Sequence, residues 1–212
     1  MNHSLSRTAA AVSLGLGLVV ALFWVLGTAS TAVVAAPPEP VERESASEVT
    51  GEVISVCLTG GCDYDDVQAA VDAANEGDLV KVATGVYTGV QSRASLTQVV
   101  YISKTVALRG GYTVTNWSRS TPVAYPTTLD AERRGRVIYV AGDVTPTIEG
   151  FWITRGDADG LGGGPWAAVN GGGGLYVDGG ETKLRSCQVI SNEAGYGAGF
   201  YGLPLNAASV RL

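Results

Sequence analysis

The feature that most constrains this chain is a phrase that occurs twice and opens a third time. Ile138-Tyr139-Val140 leads through a turn-like stretch to Ile148-Glu149-Gly150-Phe151-Trp152-Ile153. Leu175-Tyr176-Val177 leads through Gly179-Gly180 to Leu184-Arg185-Ser186-Cys187-Gln188-Val189. Gly199-Phe200-Tyr201 begins a third copy, eleven residues before the last. Short apolar runs recurring between glycine turns predict a solenoid, because each unit buries its apolar face only against its neighbours. Leu175 follows Ile138 by 37 residues and Leu184 follows Ile148 by 36, but Tyr201 follows Tyr176 by only 25. The insertion 157–174 accounts for the difference, since a bare coil of such a solenoid needs about 20–25 residues. Fifteen glycines between Gly156 and Gly202 predict tight turns that need positive φ.

Residues 1–36 are expected to leave the folded part. No charge lies between Arg7 and Glu39, and 10–26 is almost wholly apolar. Val34-Ala35-Ala36 offers the small residues of a secretory cleavage site. The alternative is an uncleaved anchor, which would make residues 10–36 the chain's membrane contact. Either way the remainder is expected to be secreted or displayed at the cell surface. Loss of 1–36 removes one base and no acid, so the net charge moves from −6 to −7. An acidic surface argues against nucleic acid and against a polybasic lipid contact.

Residues 37–48 are a polar linker rich in proline and glutamate, with nothing to bury. The folded region is expected over 49–212. A first strand is predicted at 49–57, then a helix with Asp63 or Asp65 as N-cap. Val67, Ala70, Val71 and Ala74 lie on one helical face, and Gly77 is expected to form the C-cap. Strands are predicted at 79–83, 99–102 and 106–108, with Gly110-Gly111 as a break and 113–136 as a long excursion. The tail after Tyr201 contains Pro204 and no evident capping helix, which predicts an unfinished edge and a truncated solenoid.

Tyr64-Asp65-Asp66-Val67-Gln68-Ala69-Ala70-Val71-Asp72-Ala73-Ala74, Gly77-Asp78-Leu79-Val80 and Gly85-Val86-Tyr87 together resemble the N-terminal start of the pectin-lyase-like superfamily. The later Gly-Gly-apolar-Tyr phrases are similar to repeats of secreted bacterial proteins and adhesins of that kind. The resemblance covers about 53–201. It implies an all-β, right-handed parallel β-helix with one N-terminal capping helix. It also implies two possible roles: an adhesive or carbohydrate-contacting scaffold, or the start of a polysaccharide lyase or glycoside hydrolase.

Catalysis by such folds needs acids and bases stacked at matching outward positions. None stack here, so no catalytic residue is assigned. The matching outward positions hold Tyr101, Tyr139, Tyr176 and Tyr201 instead. About 4.8 Å apart, such rings form either a strip on which a polysaccharide or cell-surface glycan docks, or a cross-strand ladder. Cys57 and Cys62 are candidates for a disulfide through a glycine-bearing loop, and Cys187 is left as a small buried hydrophobe. No metal or other cofactor is expected, and the one histidine, His3, lies in the leader. Asp157-Ala158-Asp159-Gly160 has oxygen ligands for calcium but lacks a regular repeat. Arg155-Gly156-Asp157 falls at a turn, and Trp117 and Trp166 either bind a partner or cover the flank.

Overall fold

The computed structural model describes residues 51–93, 95–164, 169–202 and 209–211. The expected leader 1–36 and linker 37–48, together with Trp166 and Pro204, lie outside the described residues. In chain order the elements are β1 (Val53–Val56), α1 (Val67–Ala73), β2 (Leu79–Ala83), β3 (Gly85–Tyr87), β4 (Gln91–Arg93) and β5 (Leu96–Ile102). Next come β6 (Ala107–Tyr112), β7 (Thr127–Asp130), β8 (Arg136–Ala141), β9 (Thr147–Glu149) and β10 (Phe151–Thr154). The last are β11 (Leu175–Asp178), β12 (Glu181–Arg185), β13 (Gln188–Ile190), β14 (Phe200–Gly202) and β15 (Ser209–Arg211).

These strands correct the expected closed coil of a right-handed parallel β-helix. They form three separate, mostly parallel sheets, ordered β1-β2-β6-β9-β12-β15, β13-β10-β7-β3 and β14-β11-β8-β5-β4. Two physical causes are visible. The apolar phrase 148–153 does not run as one strand, because Gly150 turns the backbone at φ 76° and sends β9 and β10 into different sheets. Ser186, at φ 49°, does the same between β12 and β13. In addition β4 folds back antiparallel on β5, pairing Gln91 with Gln98 and Arg93 with Leu96, so the third sheet ends in a hairpin.

Within the sheets the repeat is kept in register. Ile138 pairs with Leu175, and Leu175 with Phe200; Ile148 pairs with Leu184. The buried side is aliphatic: Val56, Val82, Leu108, Ile138, Ile148 and Leu175 are fully enclosed. Gly110-Gly111 does not break a strand but lies inside β6, where Thr127 Oγ1 accepts from Gly111 N at 2.8 Å. The excursion 113–136 is interrupted by β7, which pairs with β3 and β10.

The helix is capped differently from expectation. Asp66 is the N-cap, accepting from Ala69 N at 2.8 Å, while Asp63 instead accepts from Ser55 N and Oγ. The helix ends as Ala74 turns extended, and Gly77 belongs to the following turn. One helical side chain enters the sheet region. Gln68, buried, donates from Nε2 to Tyr101 O at 3.1 Å and accepts from Tyr101 N at 2.5 Å. No helix among the described residues is long and apolar enough to cross a membrane.

Candidate functional site

Parallel pairing sets Tyr101, Tyr139, Tyr176 and Tyr201 side by side on β5, β8, β11 and β14. Parallel register puts paired side chains on one face, so the rings meet. Centroids are 5.6 Å apart for Tyr101–Tyr139 and 5.0 Å for Tyr139–Tyr176, with planes within 2° and 14°. Tyr176–Tyr201 is looser, at 6.0 Å and 31°. The middle of this row is not an open strip: Tyr139 keeps 7% of its surface and Tyr176 only 3%. The expected docking surface is therefore corrected for those two residues. Tyr101 and Tyr201, at the ends of the row, are half-buried.

The cover is formed by glycines on either side of residues 165–168: Gly163 and Gly172 lie against Tyr176, and Gly171 against Tyr201. Gly163 O accepts from the Tyr176 hydroxyl at 3.1 Å. A β-carbon on Gly163 would lie 2.5 Å from the Tyr176 ring, and its φ of 82° already favours glycine. Arg136 ties both sides down, donating from Nε to Gly171 O at 3.0 Å and from Nη2 to Gly162 O at 2.7 Å and Leu161 O at 3.4 Å. Its guanidinium lies 4.6 Å from the Tyr176 centroid and 5.9 Å from that of Tyr139. Burial pushes the Tyr176 hydroxyl up to about 12 and raises that of Tyr139 too, with its bond to Asp178 adding to the effect. At the other end Arg93 stands 5.5 Å from the Tyr101 centroid and forks onto Asp72 at 2.5 and 2.6 Å. Burial holds the Arg136 guanidinium below its ordinary value.

Sequence reasoning misses Gln68, Gln98 and Arg136. A signal for the last two exists: each stands three residues before a tyrosine of the row, Gln98 before Tyr101 and Arg136 before Tyr139. Their pairing as register partners makes them neighbours in space.

Carboxylates gather in two other places. Asp63 and Asp78 line a cleft of about 220 Å³ with Glu52 and Tyr64. Both carboxyls are held below the usual range, Asp63 by the Ser55 hydroxyl and amide, Asp78 by the Asn75 amide and then that of Glu52. Asp157, Asp159, Asn170 and Glu193 line an open cleft of about 280 Å³. There Asp157 accepts from Asp159 N, Asp159 accepts from Asn170 Nδ2 at 2.9 Å, and Glu193 pairs with Arg133. No group of three His, Cys, Asp or Glu among the described residues is placed to hold a metal ion.

The Arg155-Gly156-Asp157 tripeptide is committed to the fold: Arg155 forks onto the buried Asp130, and Gly156 is enclosed. Trp117 stacks on Tyr112 at 5.8 Å and is half-buried. Cys57 and Cys62 are bonded to each other, with Cα atoms 5.8 Å apart. Cys187 is free and packs against the core, where burial pushes its thiol up.

Comparison with protein-family models, with curated proteins and with solved structures gives no match.

Proposed function

We propose that this chain is an exported, non-catalytic scaffold module whose surface contacts extracellular or cell-surface polysaccharide. The observation that carries the non-catalytic part is the employment of the carboxylates in both clefts. Asp63 and Asp78 are held ionised by hydrogen bonds that fix turns, which leaves neither as a proton donor near neutral pH. Asp157, Asp159 and Glu193 serve a turn, a loop tie and an ion pair. Export is supported by the apolar run 10–26 with its small-residue site at 34–36, and by the Cys57–Cys62 bond, of a kind that characteristically forms in oxidising compartments. For glycan contact the tyrosine row offers its half-buried ends, Tyr101 and Tyr201, rather than its middle.

The second reading is a polysaccharide-cleaving enzyme, favoured by one observation: three carboxylates and an asparagine share the cleft at 157–195. The two readings separate in a single experiment on the full chain. A glycan array is probed with wild type and with Tyr101→Ala/Tyr201→Ala, and bound polysaccharides are assayed for new reducing ends and unsaturated products. Binding that the double variant weakens, without cleavage, is expected. Cleavage abolished by Asp157→Asn or Glu193→Gln would replace the scaffold reading with the enzyme. Equal binding by wild type and double variant would remove the tyrosines from any glycan contact.

A further inference from the structure

Gln98 and Arg136 pair across β5 and β8, and parallel register sets their side chains next to each other. Both are enclosed, Gln98 fully and Arg136 to within 1%. Arg136 spends its Nε and Nη2 hydrogens on the carbonyls of Gly171, Gly162 and Leu161. Its Nη1, and both Oε1 and Nε2 of Gln98, have no hydrogen-bond partner among the described residues. Buried polar atoms in folded proteins are almost always satisfied, so two neighbouring side chains with open valences mark a place where something else sits.

The chemistry of the open valences points to what it is. Nη1 and Nε2 together carry four N–H hydrogens, against one carbonyl oxygen. A direct bond from Nη1 to Gln98 Oε1 would use that oxygen and still leave donors in excess. Water does not correct the excess, because each molecule brings two donors of its own. An anion only accepts, and it also brings the charge that the guanidinium lacks. The groups acting on that charge are the rings of Tyr176 and Tyr139, which at neutral pH carry none. We propose that a small inorganic monoanion of chloride size is bound between Arg136 Nη1 and Gln98 Nε2, beneath the glycine-rich cover of the tyrosine row. The enclosure of both side chains excludes a sugar acid or a phosphate ester as the occupant.

The test uses the full chain, melted at constant ionic strength while gluconate is replaced by chloride or bromide. At about a hundredfold excess over its dissociation constant, chloride is expected to raise the melting temperature by about 5–10 °C. Arg136→Met should abolish that difference and Gln98→Leu should reduce it. Crystals grown in bromide should show an anomalous peak within hydrogen-bond reach of both nitrogens, a readout that needs no variant to fold. Identical melting in chloride and gluconate would overturn the proposal. So would a chloride effect that survives in Arg136→Met, or bromide crystals with only water between the two side chains.

Discussion

Replacing Tyr176 by alanine is the sharpest measure of whether the tyrosine row holds the molecule together. The ring keeps 3% of its surface, stacks on Tyr139 at 5.0 Å, faces Tyr201 at 6.0 Å and lies 4.6 Å from the Arg136 guanidinium. Truncating a buried aromatic costs about 3–5 kcal/mol once the cavity is counted. Tyr176→Ala belongs at the upper end, because it also strips a ring from the buried Arg136 guanidinium. The hydroxyl's bond to Gly163 O is a separable part, so Tyr176→Phe should cost only about 1 kcal/mol. Tyr101→Ala, at the half-buried end, should cost about 1–2 kcal/mol. Urea unfolding followed by circular dichroism gives all three, provided the slope with urea is unchanged. A Tyr176→Ala cost below about 1.5 kcal/mol, or one no greater than that of Tyr101→Ala, would refute the description of the row as a packed ladder.

Alkaline stability follows from the same burial. Tyr87 and Tyr176 are both pushed up to about 12. Unfolded tyrosine ionises near pH 10, so their contribution is complete below about pH 10 and is lost as pH rises toward about 12. On the order of 5 kcal/mol from these two hydroxyls, with a further loss from Tyr139, should disappear across that window, read as a falling urea midpoint alongside phenolate absorbance; a midpoint flat to pH 12 would contradict it. Arg155→Ala tests the acid side. Burial alone would raise the Asp130 carboxyl, but the Arg155 hydrogen bonds, the Glu132 amide and the Arg155 charge together outweigh it, and the net shift is downward. That contribution is present above about pH 4 and lost as pH falls through the lowered value. The variant should lose stability at neutral pH, by an amount limited by the exposure of Arg155, and show a weaker acid-side decline; an unchanged pH profile would count against the pairing.

The strand content of the later repeats was legible because apolar residues recur at intervals that the register preserves, as Ile138 with Leu175 and Ile148 with Leu184 show. The division into three sheets was not. It depends on single backbone corners, and Ser186 at φ 49° carries no residue-type signal comparable to Gly150. The polar stretch 91–97 concealed β4 and the start of β5, whose pairing answers to backbone hydrogen bonding rather than to apolar alternation. At the candidate site the tyrosine spacing was readable, but its exposure was not. Alternation places Tyr139 and Tyr176 away from the core, and Tyr176 is then covered by Gly163 and Gly172, which a pattern based on side chains does not register. Gln98 and Arg136 escaped for the opposite reason: polar residues in a strand suggest a solvent face, and here both are enclosed.

Gln68 has a consequence beyond the hydrogen bonds it makes to Tyr101 and Asp72. A sheet is a template, since each strand offers its neighbour the same alternating donors and acceptors, and an unfilled edge recruits whatever chain can match them. Past the short hairpin strand β4, Tyr101 would present such an edge, and the helix meets it with a primary amide, whose oxygen and one N–H match a peptide unit while the second N–H is donated to Asp72. Glutamate could copy only half of that pair and leucine none. Gln68 thus works as a chain terminator does in polymer chemistry: it occupies the growing position with a unit that cannot itself be extended. What it governs at that point is molecularity, whether the sheet's next partner is its own helix or another molecule.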